Sequence, residues 1–255
     1  MNIIVSLIHK ISNRLTRLRL RPIQVYCLHH VSKHDNPLLF CKGDWISEDC
    51  FHESILLLKE RGYRFISLTE AWSKINYDFI RYNSYVVLTF DDGYRSSLPT
   101  FHWLEEQGIP YTIFLNARYL DGVSLSQHIV HHAQSVNPTI SEKEISKDLY
   151  LTVNDLKELS PLYSEFGSHG YEHVDATCIQ THEFRNQLKD SIASLSLFSQ
   201  FVPFHAYTWG RHTIETDHIL REEGFTAVLM DGAKNYNSPL IHRQLFPSFD
   251  SVSFK

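Results

Sequence analysis

The chain of 255 residues is short of glycine (10), proline (9), methionine (2) and cysteine (4). So little glycine and proline excludes collagen-like and low-complexity architectures. Apolar runs are a few residues long, as in Val86-Val87-Leu88, whereas a membrane-spanning helix needs about 18 or more. Cys27, Cys41, Cys50 and Cys178 form no Cys-x-x-Cys pair and no regular framework. A chain of this size builds a core without disulfides, so they read as reduced and mostly buried, which suits a cytoplasmic setting. Excess positive charge is missing too, the formal net charge being -5. Residues 1–21 hold five of the 24 bases (Lys10, Arg14, Arg17, Arg19, Arg21) and no acid, which leaves 19 bases against 29 acids elsewhere. Such a body repels a row of phosphates, so no nucleic-acid partner is expected. What is present is 43% hydrophobic and 21% charged residues, the balance of a globular fold.

The opening bases belong to an amphipathic pattern. Ile4, Leu7, Ile8, Ile11, Leu15 and Leu18 share one helical face, Lys10, Arg14, Arg17 and Arg21 flank it, and Pro22 ends it. The charge follows the apolar stretch, the reverse of a secretory signal. Residues 3–21 therefore suit peripheral contact with an anionic inner membrane face, or packing against the protein's own core; the periodicity is the same for both. This segment, residues 1–22, is set apart from a single domain over 23–255. There, strands are expected at 24–29, 65–68, 85–90, 111–115, around Phe166, and at 204–208 and 227–230. Helices are expected at 49–61, 69–75, 97–107, 153–159, 183–199 and 214–223. Residues 121–150 are the least regular part and read as an insertion with helices of its own. Strand–helix alternation predicts an α/β fold with parallel strands, whose chemistry lies in the loops after the strands.

Two such loops stand out. Leu88-Thr89-Phe90 runs into Asp91-Asp92-Gly93-Tyr94. Adjacent carboxylates repel each other, and a bound cation offsets this while leaving one of the pair free to take a proton. A solvated Asp-Gly turn is the plain alternative. Further on, Phe166-Gly167-Ser168-His169-Gly170-Tyr171-Glu172-His173 places two imidazoles four residues apart. One helical turn would bring both to one face, and with a carboxylate they make a site with positions open for water. Spacing alone is weak, because His30/His34 and His128/His132 share it in a chain with 16 histidines.

Asp-Asp-Gly after one strand and His-x-x-x-His after a later one resemble the polysaccharide deacetylase family, the carbohydrate esterase family 4 or NodB-like group. Flanking segments agree: Tyr26-Cys27-Leu28-His29-His30-Val31, Gly62-Tyr63-Arg64-Phe65-Ile66-Ser67-Leu68, Gly108 to Leu115 and Gly224 to Ala227. The resemblance spans about residues 24–245. It implies a distorted (β/α) barrel with fewer than eight full units. It also implies hydrolytic removal of an N-acetyl group from a sugar in a polysaccharide or an oligosaccharide; the basic amphipathic segment and the unpatterned cysteines add a lipid-linked precursor of the cell envelope, within reach at the inner membrane face. By the same resemblance Asp91 is the general base, and Asp92, His169 and His173 hold one divalent metal ion, zinc first, with cobalt, manganese or nickel as alternatives. The chain departs from the family at Thr208-Trp209-Gly210, where a Pro-aromatic-Gly sequence is usual, and it has no clean terminal Leu-x-His. His242 stands nearest by position for the missing general acid, with His205 and His30 as alternatives. Tyr94, Tyr207, Trp209 and Arg243 are expected around the substrate, Arg243 through an ion pair that orients Asp91. Two other functions stay open: a sugar-binding protein that has lost catalysis, which these departures favour, and an amidase acting on a C–N bond outside sugars.

Overall fold

The computed structural model describes residues 23–38, 45–75, 85–122, 125–230 and 241–246. The amphipathic segment 1–22 and Cys41 lie outside them. Ten strands occur among the described residues. They are β1 (Gln24–Leu28), β2 (His30–Ser32), β3 (Trp45–Ser47), β4 (Arg64–Phe65), β5 (Tyr85–Phe90), β6 (Tyr111–Leu115), β7 (Ser164–Ser168), β8 (Phe201–Ala206), β9 (Thr226–Met230) and β10 (Ile241–Leu245). The helices are α1 (Glu48–Glu60), α2 (Leu68–Ile75), α3 (Leu98–Glu106), α4 (Gln127–Val136), α5 (Glu142–Leu149), α6 (Val153–Glu158), α7 (Thr181–Leu195) and α8 (Ile214–Glu222).

Seven parallel strands run in the order β1-β10-β9-β8-β7-β6-β5, and β5 pairs back onto β1, which closes a barrel. The ring is thus one unit short of eight, as the resemblance implied. β4 adds to the first two residues of β5, and β2 and β3 form a separate parallel pair. Strand alternation sorts the side chains. On β5, Val86, Leu88 and Phe90 face outward into a layer with Phe51 and Ile55 of α1 and Phe101 and Leu104 of α3. Val87 faces inward with Val25, Phe114, Phe204, Ala206, Val228 and Ile241. With apolar groups on both sides, β5 is buried along its whole length, as strands of a covered parallel sheet are.

Helix ends follow local chemistry. Ser47 caps α1 by accepting from the Cys50 N–H, and Gly108, at φ 67, ends the segment after α3. The strand expected at 65–68 is shorter and earlier, because Leu68 already begins α2. That helix brings Leu68 and Ala71 to the interior cluster and closes the end of the barrel where the strands begin. Its first amides, those of Leu68 and Thr69, donate to the inward carboxylate of Glu165 on β7. Residues 121–150 do carry helices, α4 and α5, and a small core of their own around Ile129, Ala133, Ile145 and Leu149. Cys27 is buried, but Cys50 and Cys178 are exposed, which corrects the expectation of mostly buried thiols; all three are free. Both exposed residues lie on helix or loop surfaces away from the barrel's apolar layers. No described helix is long and apolar enough to cross a membrane.

Gly167 sits where β7 crosses the interior. A methyl group there would come within 2.6 Å of Phe114 Cε1 and 3.0 Å of the Phe204 carbonyl. Overpacking of this kind costs about 1–3 kcal/mol. Gly167→Ala is expected to lower Tm by several degrees in a thermal melt, and an unchanged Tm would show that Phe114 is not pressed against β7.

Candidate active site

The far end of the barrel, where the strands finish, turns from apolar to charged. Asp91 follows β5 and continues its inward row of Val87 and Thr89. Its N–H donates to the Leu28 carbonyl of β1 at 2.8 Å. Arg243 comes from β10 on the same inward face as Ile241. Its guanidinium donates twice to Asp91, Nη1 to Oδ1 at 2.5 Å and Nη2 to Oδ2 at 2.8 Å. Nη1 also reaches Thr89 Oγ1 at 3.2 Å, and the guanidinium lies 5.2 Å over the Phe114 ring. Both partners are almost wholly buried, Arg243 at 1% exposure and Asp91 at 4%. Burial pushes the Asp91 carboxyl up, but Arg243 outweighs it, aided by His169, and holds it at about 2. Cys27 Sγ lies 3.5 Å from Asp91 Oδ2. Burial pushes this thiol up, so it stays protonated and is the donor in that contact.

The second carboxylate faces elsewhere. Asp92 takes a left-handed backbone, φ 69, and Gly93 follows at φ 70, where a side chain would strike Leu115. The turn carries Asp92 to the two histidines. His169 follows β7, and its Nδ1 lies 2.8 Å from the Ala206 carbonyl of β8. A carbonyl only accepts, so Nδ1 carries the hydrogen and Nε2 presents its lone pair. His169 Nε2 and His173 Nε2 lie 3.2 and 3.1 Å from the same atom, Asp92 Oδ1. These contacts are close without being hydrogen bonds: Asp92 Oδ1 is buried and has no hydrogen-bond partner among the described residues. Lone pairs facing one another repel. Three ligand atoms within 4.8 Å of one another, two imidazole nitrogens and one carboxylate oxygen, suit a divalent cation of the borderline class. A proton competes for the same place. Burial lowers the His169 imidazolium, yet Asp91 and Asp92 together leave it raised.

The two histidines converge through a loop and not through a helical turn. Residues 169–173 contain no helix, and His173 is left-handed at φ 55. Side chains from several elements hold this loop. Gln187 of α7 accepts from the Tyr171 and Glu172 N–H groups at 3.1 and 2.9 Å. Arg118 pairs with Glu172. Thr208 donates to the His169 carbonyl at 3.3 Å, a bond that the proline expected at this position could not make. Asp92, His173 and Trp209, at φ 69, 55 and 53, are the non-glycine residues of positive φ among those described, and they lie together. Each such conformation costs about 1–2 kcal/mol, a strain that persists where surroundings over-determine it.

Several expected residues are placed elsewhere. His205 lies between the inward Phe204 and Ala206 and therefore faces outward, packed against Phe184, Tyr207 and Phe225. Burial drives its imidazolium down to about 3, so it is neutral and unsuited to carry a proton for a leaving group. His242 lies between Ile241 and Arg243, and the same alternation turns it out of the barrel. His30 is buried against Ser32, and burial lowers it to about 4. Tyr94 is buried in the core of the 121–150 insertion, and Tyr207 is buried with its hydroxyl donating to Asp217 at 2.8 Å. Neither reaches an open surface. Trp209 does, at 48% exposure, with its ring 5.0 Å from that of His173. The residue that the sequence reading passed over is His29. It follows β1, half-buried, within 4.8 Å of Asp91 and Cys27 in ligand-atom distance. The alternation of β1, with Cys27 inward and Leu28 outward, was the available signal. A cavity of about 660 Å³ lies on the barrel flank, lined by Arg118, Lys157, Leu159, Tyr171 and Phe198 among others. It includes none of Asp91, Asp92, His169 and His173.

The closed parallel barrel thus sets a buried carboxylate–arginine pair beside an Asp-His-His cluster whose donor atoms suit a cation. A family profile described as polysaccharide deacetylase matches residues 81–228, more than half of the chain, and the protein belongs to that family. A search of curated proteins gives no match. Solved structures with a similar fold include IcaB from Ammonifex degensii, at 20% identity over 90% of this chain and 94% of that one, with a TM-score of 0.66. The Streptococcus pyogenes deacetylase PplD, solved with acetate, matches at 17% identity over 88% and 92%, with a TM-score of 0.68. The de-N-acetylase from Aggregatibacter actinomycetemcomitans matches at 17% over 90% and 98%, with a TM-score of 0.65.

The Asp91–Arg243 pair sets a pH dependence. Asp91 lies at about 2 in the fold against an ordinary value of 3.8, so its stabilising contribution is complete above 3.8 and disappears as pH falls through about 2. In urea unfolding, the stability difference between the protein and Asp91→Asn is expected to narrow over that interval. A difference unaffected by acid would mean that the carboxylate is not held by Arg243.

Proposed function

We propose that the protein is a metal-dependent carbohydrate N-deacetylase, hydrolysing the acetamide of an N-acetylated sugar in a polysaccharide, oligosaccharide or lipid-linked glycan. The observation that carries this is the division of labour between two adjacent carboxylates. Asp92 is aimed at two imidazole nitrogens, and Asp91 is locked, ionised, on Arg243. Asp92, His169 and His173 would hold a divalent cation, which would supply polarisation of the acetamide carbonyl and acidification of water, so that a carboxylate as weak as Asp91 would be an adequate base. Zinc suits the nitrogen-rich donor set, and cobalt, manganese and nickel suit it too. Asp91 accepts the proton of the attacking water, and Arg243 holds its two oxygens in place. We assign His29, within 4.8 Å of Asp91 in ligand-atom distance, to return a proton to the departing amine. It takes the role that His242 and His205, turned outward, cannot fill. Trp209 offers an exposed ring beside His173 on which a sugar face can stack.

For localisation and partners, the reading from residues 3–21 stands as a proposal: peripheral contact with the inner face of the membrane, where a lipid-linked sugar is within reach. Flotation with anionic vesicles is expected to carry the full chain and to leave behind a variant that starts at Arg21; equal flotation of both would overturn this.

The deacetylase reading is tested by metal content and acetate release from N-acetylated oligosaccharides and lipid-linked sugars. Asp91→Asn is expected to keep its metal and lose about 100-fold or more in acetate release, the scale of general acid–base catalysis. His29→Gln is expected to behave likewise, and His173→Ala to lose the metal. A protein that takes up no metal would overturn the ligand assignment. Bound metal without acetate release from any of these sugars would favour the sugar-binding reading.

A further inference from the structure

The insertion at 121–150 is joined to both loops of the cation cluster, and the joint is a row of three tyrosines. Tyr94 stands two residues after Asp92. It forms an isolated antiparallel bridge with Tyr150, and their rings stack at 5.4 Å. The Leu151 N–H adds a bond to the Gly93 carbonyl at 2.9 Å. Tyr150 in turn packs against Tyr119 at 4.6 Å. The Tyr119 hydroxyl donates to the carbonyl of Glu172, the residue before His173, at 2.8 Å. Ser126 Oγ hydrogen-bonds the same hydroxyl. Ser126 Oγ also lies 3.4 Å from the Glu172 carbonyl, so the two hydroxyls converge on one acceptor.

Tyr119 completes a ladder. It lies in a 3-10 turn, Ala117–Asp121, just after β6. Ala117 N–H donates to the Gly170 carbonyl at 3.3 Å and Arg118 N–H to the Tyr171 carbonyl at 3.0 Å. The Tyr119 side chain then takes the next carbonyl in line. Three successive residues thus address three successive carbonyls of the loop between the two histidine ligands. The last of these precedes the strained residue: His173 is left-handed, as is Asp92 at the other end of the tyrosine row. Left-handed non-glycine residues do not hold their shape unaided. Tyr119 is 1% exposed, and burial keeps its hydroxyl protonated as a donor.

We infer that Tyr119 is a positioning residue which, through its bond to the Glu172 carbonyl and its packing on Tyr150 and Tyr94, keeps His173 in register with Asp92 for cation binding. This rests on the reading of Asp92, His169 and His173 as cation ligands.

The test is cobalt titration of the full chain after chelation, followed by visible absorption and by competition for affinity. Tyr119→Phe keeps the ring and loses the hydroxyl. Tyr111→Phe is the control: it removes another buried hydroxyl, which donates to Glu105 at 2.8 Å at the start of β6, remote from the cluster. Loss of an outer partner of a metal ligand weakens affinity by about 10-fold or more. That loss, with an altered cobalt spectrum, is expected for Tyr119→Phe, and Tyr111→Phe is expected to keep the wild-type affinity and spectrum even where its Tm falls. Should Tyr119→Phe fail to fold, Ser126→Ala gives a milder form of the same change and is expected to weaken cobalt binding in the same direction. Wild-type affinity in a folded Tyr119→Phe, or in Ser126→Ala where that variant stands in for it, overturns the inference. Equal weakening in Tyr111→Phe overturns it as well, because the effect would then be general loss of stability. Absence of cobalt binding in the wild type separates the cases: it removes the ligand assignment itself, and the inference with it.

Discussion

The Asp91 carboxylate is tolerable inside the barrel only because Arg243 meets it with two parallel hydrogen bonds. Without a partner, a buried carboxylate would take up a proton or open the structure to water, and breaking such a pair costs about 3–5 kcal/mol. With the pair made, β5 and β10 are tied across β1 at the charged end of the barrel. Asp91 is then committed to one direction. Its neighbour must turn the other way, and the left-handed backbone of Asp92 does so. That the two adjacent acids face different partners is a consequence of where one arginine enters the ring.

Around that pair the site is built by backbone carbonyls as much as by side chains. The Ala206 carbonyl decides which nitrogen of His169 bears hydrogen. Thr208 fixes the His169 carbonyl, and the carbonyls of residues 170–172 are each bonded by the segment after β6. These contacts come from three different strands' following loops. A ligand cluster made this way is as rigid as the barrel beneath it, which is what low-cost binding of a cation requires.

Strained residues mark the same place. Asp92, His173 and Trp209 carry unfavourable backbone angles within one small region, and the packing that holds them includes the insertion at 121–150. An element that looks dispensable in the plan of the barrel, since it adds no strand to the ring, is joined to the loops that carry Asp92 and His173. Its own small core explains how it can be stiff enough to matter.

Much was legible from the chain alone. Apolar runs such as Tyr85–Phe90, glycine stops and capping residues mark the strands and helices, because these signals are local. The juxtaposition of Asp91-Asp92-Gly93 and His169-x-x-x-His173, each just past a strand, marks the region of chemistry for the same reason. Other matters depended on which face of a strand closes onto the barrel. Alternation combined with ring closure put Arg243 and His29 inside and His205 and His242 outside, while packing outside the ring buried Tyr94 against the insertion and Tyr207 against Phe184. It also let a loop, not a helix, bring His169 and His173 together. Local sequence determined the elements and the kinds of residue at their ends. Only the closed ring decided which of those residues meet, because inside and outside exist for a strand only once its neighbours are in place.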